Sequence, residues 1–395
     1  MGNTVNGDDG QDLHHMLTES PWQYRSVLTA LFKRAYSLLK AQKHRLYITV
    51  DEVGFRKKGK HSACVGHQYI GSIGKNDNGQ VAVAAALSAG EYYCPVEMEL
   101  FMPQDWQDDV ERRAKAVIPD NKNHESKTVM ALGMIKALYK KCSKSTECVI
   151  FDALYGNTVD LLYQLTKHKI PFVGEIKRNL TLFLNQPKWV DPSYSGRGRK
   201  PVCKKLNKQA ERVDDYASSL SPKDFTRLTI RNGTKGTIHA LYHMRKVWVL
   251  HEPTGKLMPL HLLIRKNADG SLKFALGFFK DRVTMKRLAK AQAQRTFVER
   301  IFEEGKNIVG LADYQVRSWD GFHKHMALCC MNLLFLMEQK IDLKRSIGKV
   351  TAYQIQELIN ATITTLSTIE QVIQKLLIHI PRYQSQIENQ AKVVT

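Results

Sequence analysis

The sequence predicts an α/β protein with helical segments at both ends and a block of strands between them. Three observations predict this class. Short apolar runs alternate with helical patterns between residues 45 and 176, strand-like runs follow one another from 227 to 280, and helical periodicity returns after residue 284. Alternating strands and helices are typical of an α/β domain.

The first elements are a helix and a set of strands. Residues 17–44 place Leu28, Leu31 and Phe32 on one helical face, with Pro21 near the start. The β-branched run LYITV follows at 46–50 and leads into Asp51. Two more runs, at 64–74 and 80–90, are punctuated by Gly and Asn, so a three-stranded meander is expected.

The middle of the chain continues the alternation and then changes character. Helices are predicted at 125–141 and 157–168, and strands at 147–151, directly before Asp152, and 170–173. Residues 177–212 contain ten Lys or Arg against two acidic residues. Five strand-like runs then lie between 227 and 280, separated by turn residues such as Asn232-Gly233 and Asp269-Gly270.

Helices are predicted at 285–309, 321–339 and 351–380. The apolar stripe of the last one is explained by packing against the core or, alternatively, by dimerisation. The predicted units are therefore 1–44 (helical), 45–176 (first part of a core), 177–283 (basic loop and strands), 284–345 (second part of the core) and 346–395 (helical).

The charge balance indicates the kind of partner. The 395 residues carry a formal net charge of +21, which favours a polyanion, either nucleic acid or an anionic membrane surface. The most apolar segment, 326–337, is shorter than the roughly 20 residues of a spanning helix. Since the first residues also lack the apolar stretch of a signal peptide, a cytoplasmic, nucleic-acid-binding protein without a membrane partner is expected.

Cysteine and histidine suggest no disulfide framework and no structural metal site. The seven cysteines are scattered without a C-x-x-C pair, which favours reduced, buried thiols. His323 and His325 form an H-x-H without a convincing third ligand.

Carboxylates give the sharpest hypothesis. Asp51 and Asp152 each follow a short apolar strand, and Glu299 lies on a downstream helix with Arg295 and Lys306 on the same face. Phosphodiester chemistry with two metal ions needs carboxylates that hold the ions ~4 Å apart. A turn or cap role for each Asp, and a surface ion pair for the Glu, are the simpler alternatives. Spacing alone leaves Glu303 and Glu304 open as candidates.

Several blocks resemble DDE transposases of bacterial insertion sequences. Residues 50–62 (VDEVGFRKKGKHS) resemble the family's first-aspartate block, and 65–83 its continuation. Residues 94–106 resemble the next block, 151–156 (FDALYG) the second-aspartate block, and 295–328 the glutamate block. The similarity covers roughly residues 18–340, with the blocks in the family's order.

The resemblance implies a fold and a set of site residues. It implies an RNase H-like catalytic core interrupted by a β-rich insertion, with Asp51, Asp152 and Glu299 as the catalytic, metal-binding triad. Arg295, Glu299 and Lys306 match the signature Y-x2-R-x3-E-x6-K, while Gln292 stands at its tyrosine position. The match selects Glu299 over the neighbouring glutamates. Only 50 residues precede the first Asp, so the N-terminal segment is interpreted as a shortened DNA-binding region.

The implied activity is cleavage of transposon ends and their transfer into target DNA. The cofactor would be Mg²⁺ or Mn²⁺, and the partner double-stranded DNA, both terminal inverted repeats and target. A homodimer in the DNA complex and a bacterial, nucleoid-associated location are also implied. Two alternatives stay open: a non-catalytic DNA-binding relic, and an RNase H-like endonuclease without strand transfer.

Two further DNA contacts are predicted outside the triad. The loop 196–201 (GRGRKP) resembles a minor-groove hook through Arg197, Arg199 and Lys200, although a basic linker that only neutralises phosphates is favoured. Trp248 could stack on a flipped base, but a packing role within a sheet is at least as good an explanation.

Overall fold

The computed structural model describes residues 11–193, 202–233 and 236–364 and confirms the α/β class. The helices within these ranges are α1 (Gln11–Thr18), α2 (Tyr24–Ala41), α3 (Val110–Lys115), α4 (Lys127–Cys142), α5 (Ala153–Gly156), α6 (Val159–Lys167), α7 (Val213–Ser218), α8 (Met285–Gln294), α9 (Thr296–Ile308), α10 (Trp319–Ser346) and α11 (Ala352–Thr364). None of them is long and apolar enough to cross a membrane.

Most strands join one large sheet. The strands are β1 (Leu46–Arg56), β2 (Gly66–Ile70), β3 (Lys75–Ala89), β4 (Tyr92–Leu100), β5 (Thr146–Phe151), β6 (Phe172–Ile176), β7 (Thr181–Leu182), β8 (Trp189–Val190), β9 (Lys205–Leu206), β10 (Glu211–Arg212), β11 (Thr226–Gly233), β12 (Gly236–His251), β13 (Lys256–Lys266) and β14 (Leu272–Phe278). Among the described residues, ten of them form a sheet of order β11-β12-β13-β14-β6-β5-β1-β3-β2, with β4 also paired to β3.

The centre of this sheet is parallel and its two wings are antiparallel. Strand β5 pairs in parallel with β1 on one side and with β6 on the other. The strands predicted between 227 and 280 extend the same sheet, because β14 pairs antiparallel with β6. Two of the five expected runs are one strand, β12, whose 16 residues pair with both β11 and β13.

Two predicted helices are each divided. The helix expected at 17–44 is interrupted between α1 and α2, where Gln23 is extended and Pro21 offers no backbone N–H. The helix expected at 285–309 is divided at Arg295 into α8 and α9. Only the first part of the last predicted helix lies in the described ranges, and there the buried Ala352 and Ile355 pack against the core as the packing interpretation expected.

Both faces of the central sheet are covered. One face packs against α8 through a cluster that comprises Tyr47, Cys148, Ile150, Val173, Leu288, Ala289 and Ala291. The other face packs mainly against α4 and α6, and that cluster includes Ile48, Val50, Phe151, Ala131, Ile135, Leu161 and Leu162. Six of the seven cysteines are buried free thiols, as expected, and Cys203 is exposed.

Candidate active site

Strand register brings the two predicted aspartates together. Val50 on β1 lies opposite Phe151 on β5, so the next residues, Asp51 and Asp152, are neighbours where the strand pair ends. Adjacent strands are about 4.8 Å apart, and successive side chains alternate between faces. Asp51 and Asp152 therefore follow the buried Val50 and Phe151 on the opposite face of the sheet, the one that α8 covers.

Asp152 is held by the helix that it begins. Its Oδ1 accepts backbone hydrogen bonds from Leu154 (2.9 Å) and Tyr155 (3.4 Å) at the start of α5. The cap role that the simpler interpretation assigned is thus real, and it fixes the direction of the carboxylate. It leaves Oδ2 outside these two capping bonds.

Arg295 links the carboxylates. Its Nη2 lies 3.3 Å from Asp51 Oδ2, and its Nη1 donates to Glu299 Oε1 at 2.9 Å. The same Nη1 lies 3.7 Å from Glu175 Oε2. The division between α8 and α9 places Arg295 where it reaches Asp51 on β1 and Glu175 on β6 at once.

The site contains more negative charge than Arg295 neutralises. Burial raises the pKa of Asp51 to about 7, and Asp152 adds to the rise while Arg295 opposes it. The pKa of Arg295 is raised although burial would lower it, because Asp51 and Glu175 stabilise its charge. Ionisable groups in contact whose pKa values are both perturbed are typical of a functional site.

Glu299 and Lys306 extend the site along α9. The Glu299 side chain is 59% exposed, in contrast to 15% for Asp51, so it lies at the open edge. Lys306 Nζ donates to the Gly54 carbonyl of β1 at 3.0 Å, and burial lowers its pKa. Glu304 is engaged elsewhere, with Tyr93 Oη (2.6 Å) and Lys340 Nζ (3.0 Å).

The carboxylate oxygens at this site are of the type that binds hard divalent cations. Carboxylate oxygens are the ligands that Mg²⁺ and Mn²⁺ prefer, and neither Cys nor His is among the residues gathered around Arg295. Within the described ranges, however, no three His, Cys, Asp or Glu residues are close enough to hold a metal ion. The guanidinium of Arg295 lies between Asp51 and Glu299 instead.

The other predicted DNA contacts are dispersed. Arg197, Arg199 and Lys200 lie outside the described residues. Trp248 on β12 is half-buried; its backbone pairs with that of Phe183, and Lys246 Nζ lies 5.5 Å from its ring centroid.

Sequence reasoning missed Glu175, and it did not foresee the environment of Gln292. Glu175 lies at the far end of β6, beyond the residues 170–173 that periodicity marked as a strand, and no spacing rule connects it to either aspartate. Gln292 is only 4% exposed, and neither polar atom of its side chain has a partner among the described residues. It therefore does not present a surface contact to DNA.

Comparison with known proteins adds a family to this geometry. The chain is similar to the NurA nuclease from Sulfolobus solfataricus with a TM-score of 0.28 and 8% identity, covering 85% of this chain and 99% of that one, which is too distant to carry an argument. A protein of Microchaete diplosiphon described as a probable transposase for insertion sequence element IS701 is 32% identical over 152 residues. That match spans 38% of this chain and 36% of the relative.

The family comparison covers more of the chain. A family described as DDE superfamily endonuclease matches residues 2–237, which include Asp51 and Asp152 and end before Glu299. Endonucleases of this superfamily generally use divalent metal ions. Because the matched segment is more than half of the sequence, the chain belongs to the DDE superfamily endonucleases.

Proposed function

We propose that the chain is an insertion-sequence transposase that cleaves DNA at the ends of its element and joins them to target DNA. One observation carries the proposal. Asp51 and Asp152 are adjacent on one face where the pairing of the parallel strands β1 and β5 ends, and Arg295 connects Asp51 to Glu299. The IS701 relative supports the transposase reaction within the superfamily.

The fold supports an RNase H-like catalytic core. Strands β4, β3 and β1 are antiparallel neighbours, and β5 and β6 follow in parallel beside β1. In this proposal the order β4-β3-β1-β5-β6 is the sheet of that core, with the first Asp on its central strand and the second after the next strand. In this proposal β11–β14 are the β-rich insertion, attached through β14.

The three carboxylates are assigned a common role. Asp51, Asp152 and Glu299 would hold two Mg²⁺ or Mn²⁺ ions, which requires the guanidinium of Arg295 to give up its place between Asp51 and Glu299. Bound there, the ions would activate the attacking water or 3′-hydroxyl and stabilise the leaving oxygen. Bound cations would offset the repulsion between the neighbouring Asp51 and Asp152 carboxylates.

Arg295 and Lys306 are assigned to the DNA strand. The Arg295 side chain is 19% exposed beside the carboxylates, so a phosphate oxygen would be contacted through the exposed part of its guanidinium. Lys306 is tied to β1 through one hydrogen bond, which leaves other ammonium protons for a second phosphate.

The surrounding charge supports duplex DNA as the partner. A net charge of +21 attracts phosphate backbones, and Lys188, Lys204, Lys205 and Lys208 in the basic segment are all exposed. Binding of both terminal repeats and target by a homodimer in the bacterial nucleoid is part of the same proposal, because joining two ends requires two active sites.

Asp152→Asn tests the assignment with little risk to the fold. Asparagine caps helices as well as aspartate does, so the start of α5 is preserved while the charge is lost. We expect loss of Mg²⁺-dependent cleavage of duplexes taken from the ends of the DNA element that encodes the chain, with DNA binding retained. Asp109→Asn is the matched control, since Asp109 caps α3 in the same way through the Arg112 backbone at 2.9 Å.

The outcome separates the competing functions. A variant Asp152→Asn that still cuts with Mg²⁺ contradicts the assigned site. If the wild-type protein binds the duplex but never cuts it, the chain is a non-catalytic relic. If a second duplex is supplied as target and the protein cleaves DNA without forming joined products, it is an endonuclease without strand transfer.

A further inference from the structure

We propose that Glu175 is a positioning residue for Arg295: it holds the guanidinium beside the aspartate pair, where a substrate phosphate would meet it. The inference rests on the proposed function, since it assigns a role within that same reaction. It adds a fourth acidic residue, which belongs neither to the predicted triad nor to the matched signature.

The placement of Glu175 follows from the register of three parallel strands. Phe151 on β5 lies opposite Gly174 on β6, so Glu175 follows Gly174 as Asp152 follows Phe151. Asp152 and Glu175 are therefore at one level on neighbouring strands, and both flank Arg295 electrostatically. The acidic row thus continues from β1 through β5 to β6.

The contact between Glu175 and Arg295 is sheltered. Their side chains are 17% and 19% exposed, so the pair is screened less than an ordinary surface ion pair. The distance of 3.7 Å is longer than the 2.9 Å to Glu299, although both carboxylates approach the same Nη1. Arg295 is shared among its partners rather than committed to one.

The sharing of Arg295 among several carboxylates affects its position once metal ions are bound at the site. Carboxylates that hold metal ions are no longer available as full partners of a guanidinium, which would leave Asp51 and Glu299 weakly paired to Arg295. Glu175 is the contacting carboxylate outside the triad, so it remains to fix the arginine. A buried arginine without such an anchor loses its defined direction toward a phosphate.

A kinetic double-mutant cycle between Glu175→Gln and Arg295→Ala tests the role. Glutamine keeps the size of the side chain and removes its charge. We expect Glu175→Gln to slow single-turnover cleavage about tenfold to a hundredfold, the cost of a misplaced group, with the Mg²⁺ concentration for half-maximal rate unchanged. In the Arg295→Ala background the same change should cost less than about twofold.

Glu175→Asp distinguishes positioning from folding. It keeps the charge but withdraws it by one methylene, so we expect an intermediate cleavage rate at a melting temperature equal to that of the Gln variant. Melting temperatures of the four proteins of the cycle report the ion pair without any DNA. If Glu175→Gln and Glu175→Asp lower the melting temperature equally and also cleave at equal rates, Glu175 has a structural role and the proposal is overturned.

The remaining outcomes separate the two proposals. Additive kinetic effects of the two substitutions, or a tenfold shift in Mg²⁺ dependence on Glu175→Gln, overturn the positioning role, and the second of these makes Glu175 a metal ligand. If the melting temperatures of the four proteins show coupling but the wild-type protein has no metal-dependent cleavage, the proposed function itself is refuted.

Discussion

Gly156→Ala tests whether close backbone packing positions the second aspartate. Gly156 ends the short helix α5 that Asp152 caps, and it packs directly on β6. A Cβ built there would lie 1.8 Å from the carbonyl oxygen of Glu175 and 2.9 Å from its carbonyl carbon. Real Cβ atoms essentially never approach closer than 3.0 Å, so the two backbones must separate by more than an ångström.

The size of the effect follows from that displacement. Both atoms in contact belong to backbone, so no side-chain rotation relieves the clash. Overpacking of this kind costs about 1–3 kcal/mol of folding free energy. A displacement of about 1 Å at a reacting group lowers a rate about a hundredfold. The shift would move Asp152 away from Asp51, or Glu175 away from Arg295, so cleavage should fall about a hundredfold, equivalent to about 2.7 kcal/mol, while the protein remains folded.

Gly133→Ala is the matched control. Gly133 lies inside α4, and no heavy atom of the described residues comes within 4 Å of its built Cβ. Alanine is favoured over glycine in a helix by about 1 kcal/mol, so this variant should melt slightly higher and cut at the wild-type rate. Thermal melts and single-turnover cleavage are measured on both variants. If Gly156→Ala cleaves at the wild-type rate, the packing of Gly156 on the Glu175 backbone does not position the site residues.

Two further predictions concern other parts of the chain. Trp248→Ala should weaken binding of a duplex with an unpaired end base about tenfold in fluorescence anisotropy, whereas Trp189→Ala, which removes an indole that is 45% exposed, should not distinguish that duplex from a fully paired one; equal losses would contradict the stacking role. Burial alone would raise the pKa of Glu99, but the neighbouring His323 and Lys122 outweigh burial and hold that pKa below its ordinary value. Its ionised form therefore stabilises the fold above about pH 4.5, and the melting-temperature deficit of Glu99→Gln should shrink as pH falls below that value; a deficit that is constant with pH would contradict this.

The position of the second aspartate was predictable because strand ends obey a simple rule. An Asp directly after a buried run lies at the carboxyl end of its strand, and parallel strands bring these ends to one edge. Asp152 satisfies this rule, whereas β1 continues past Asp51 to Arg56, and Asp51 meets Asp152 because the pairing of β1 with β5 stops at Val50 and Phe151. The resemblance to the family then supplied Glu299, which periodicity alone could not separate from Glu304.

Register and helix breaks were not predictable in the same way. Glu175 joins the site because Phe151 lies opposite Gly174, and that pairing is set by tertiary packing rather than by local pattern. The division at Arg295 involves neither Gly nor Pro, so no local signal marks it. The single strand β12 was predicted as two because a strand of 16 residues exceeds the usual length.

The charge of the chain and the charge of the site act in opposite directions. The surplus of 21 positive charges draws a duplex to the surface, yet at the site one guanidinium faces Asp51, Glu175 and Glu299. Burial, and to a smaller extent the neighbouring Asp152, raises the pKa of Asp51, so negative charge is costly at this place. A scissile phosphate entering there adds to it, whereas divalent cations would remove it. On the proposed function, we therefore expect duplex binding and engagement of the scissile strand to be separable steps, the first governed by salt and the second by the divalent metal.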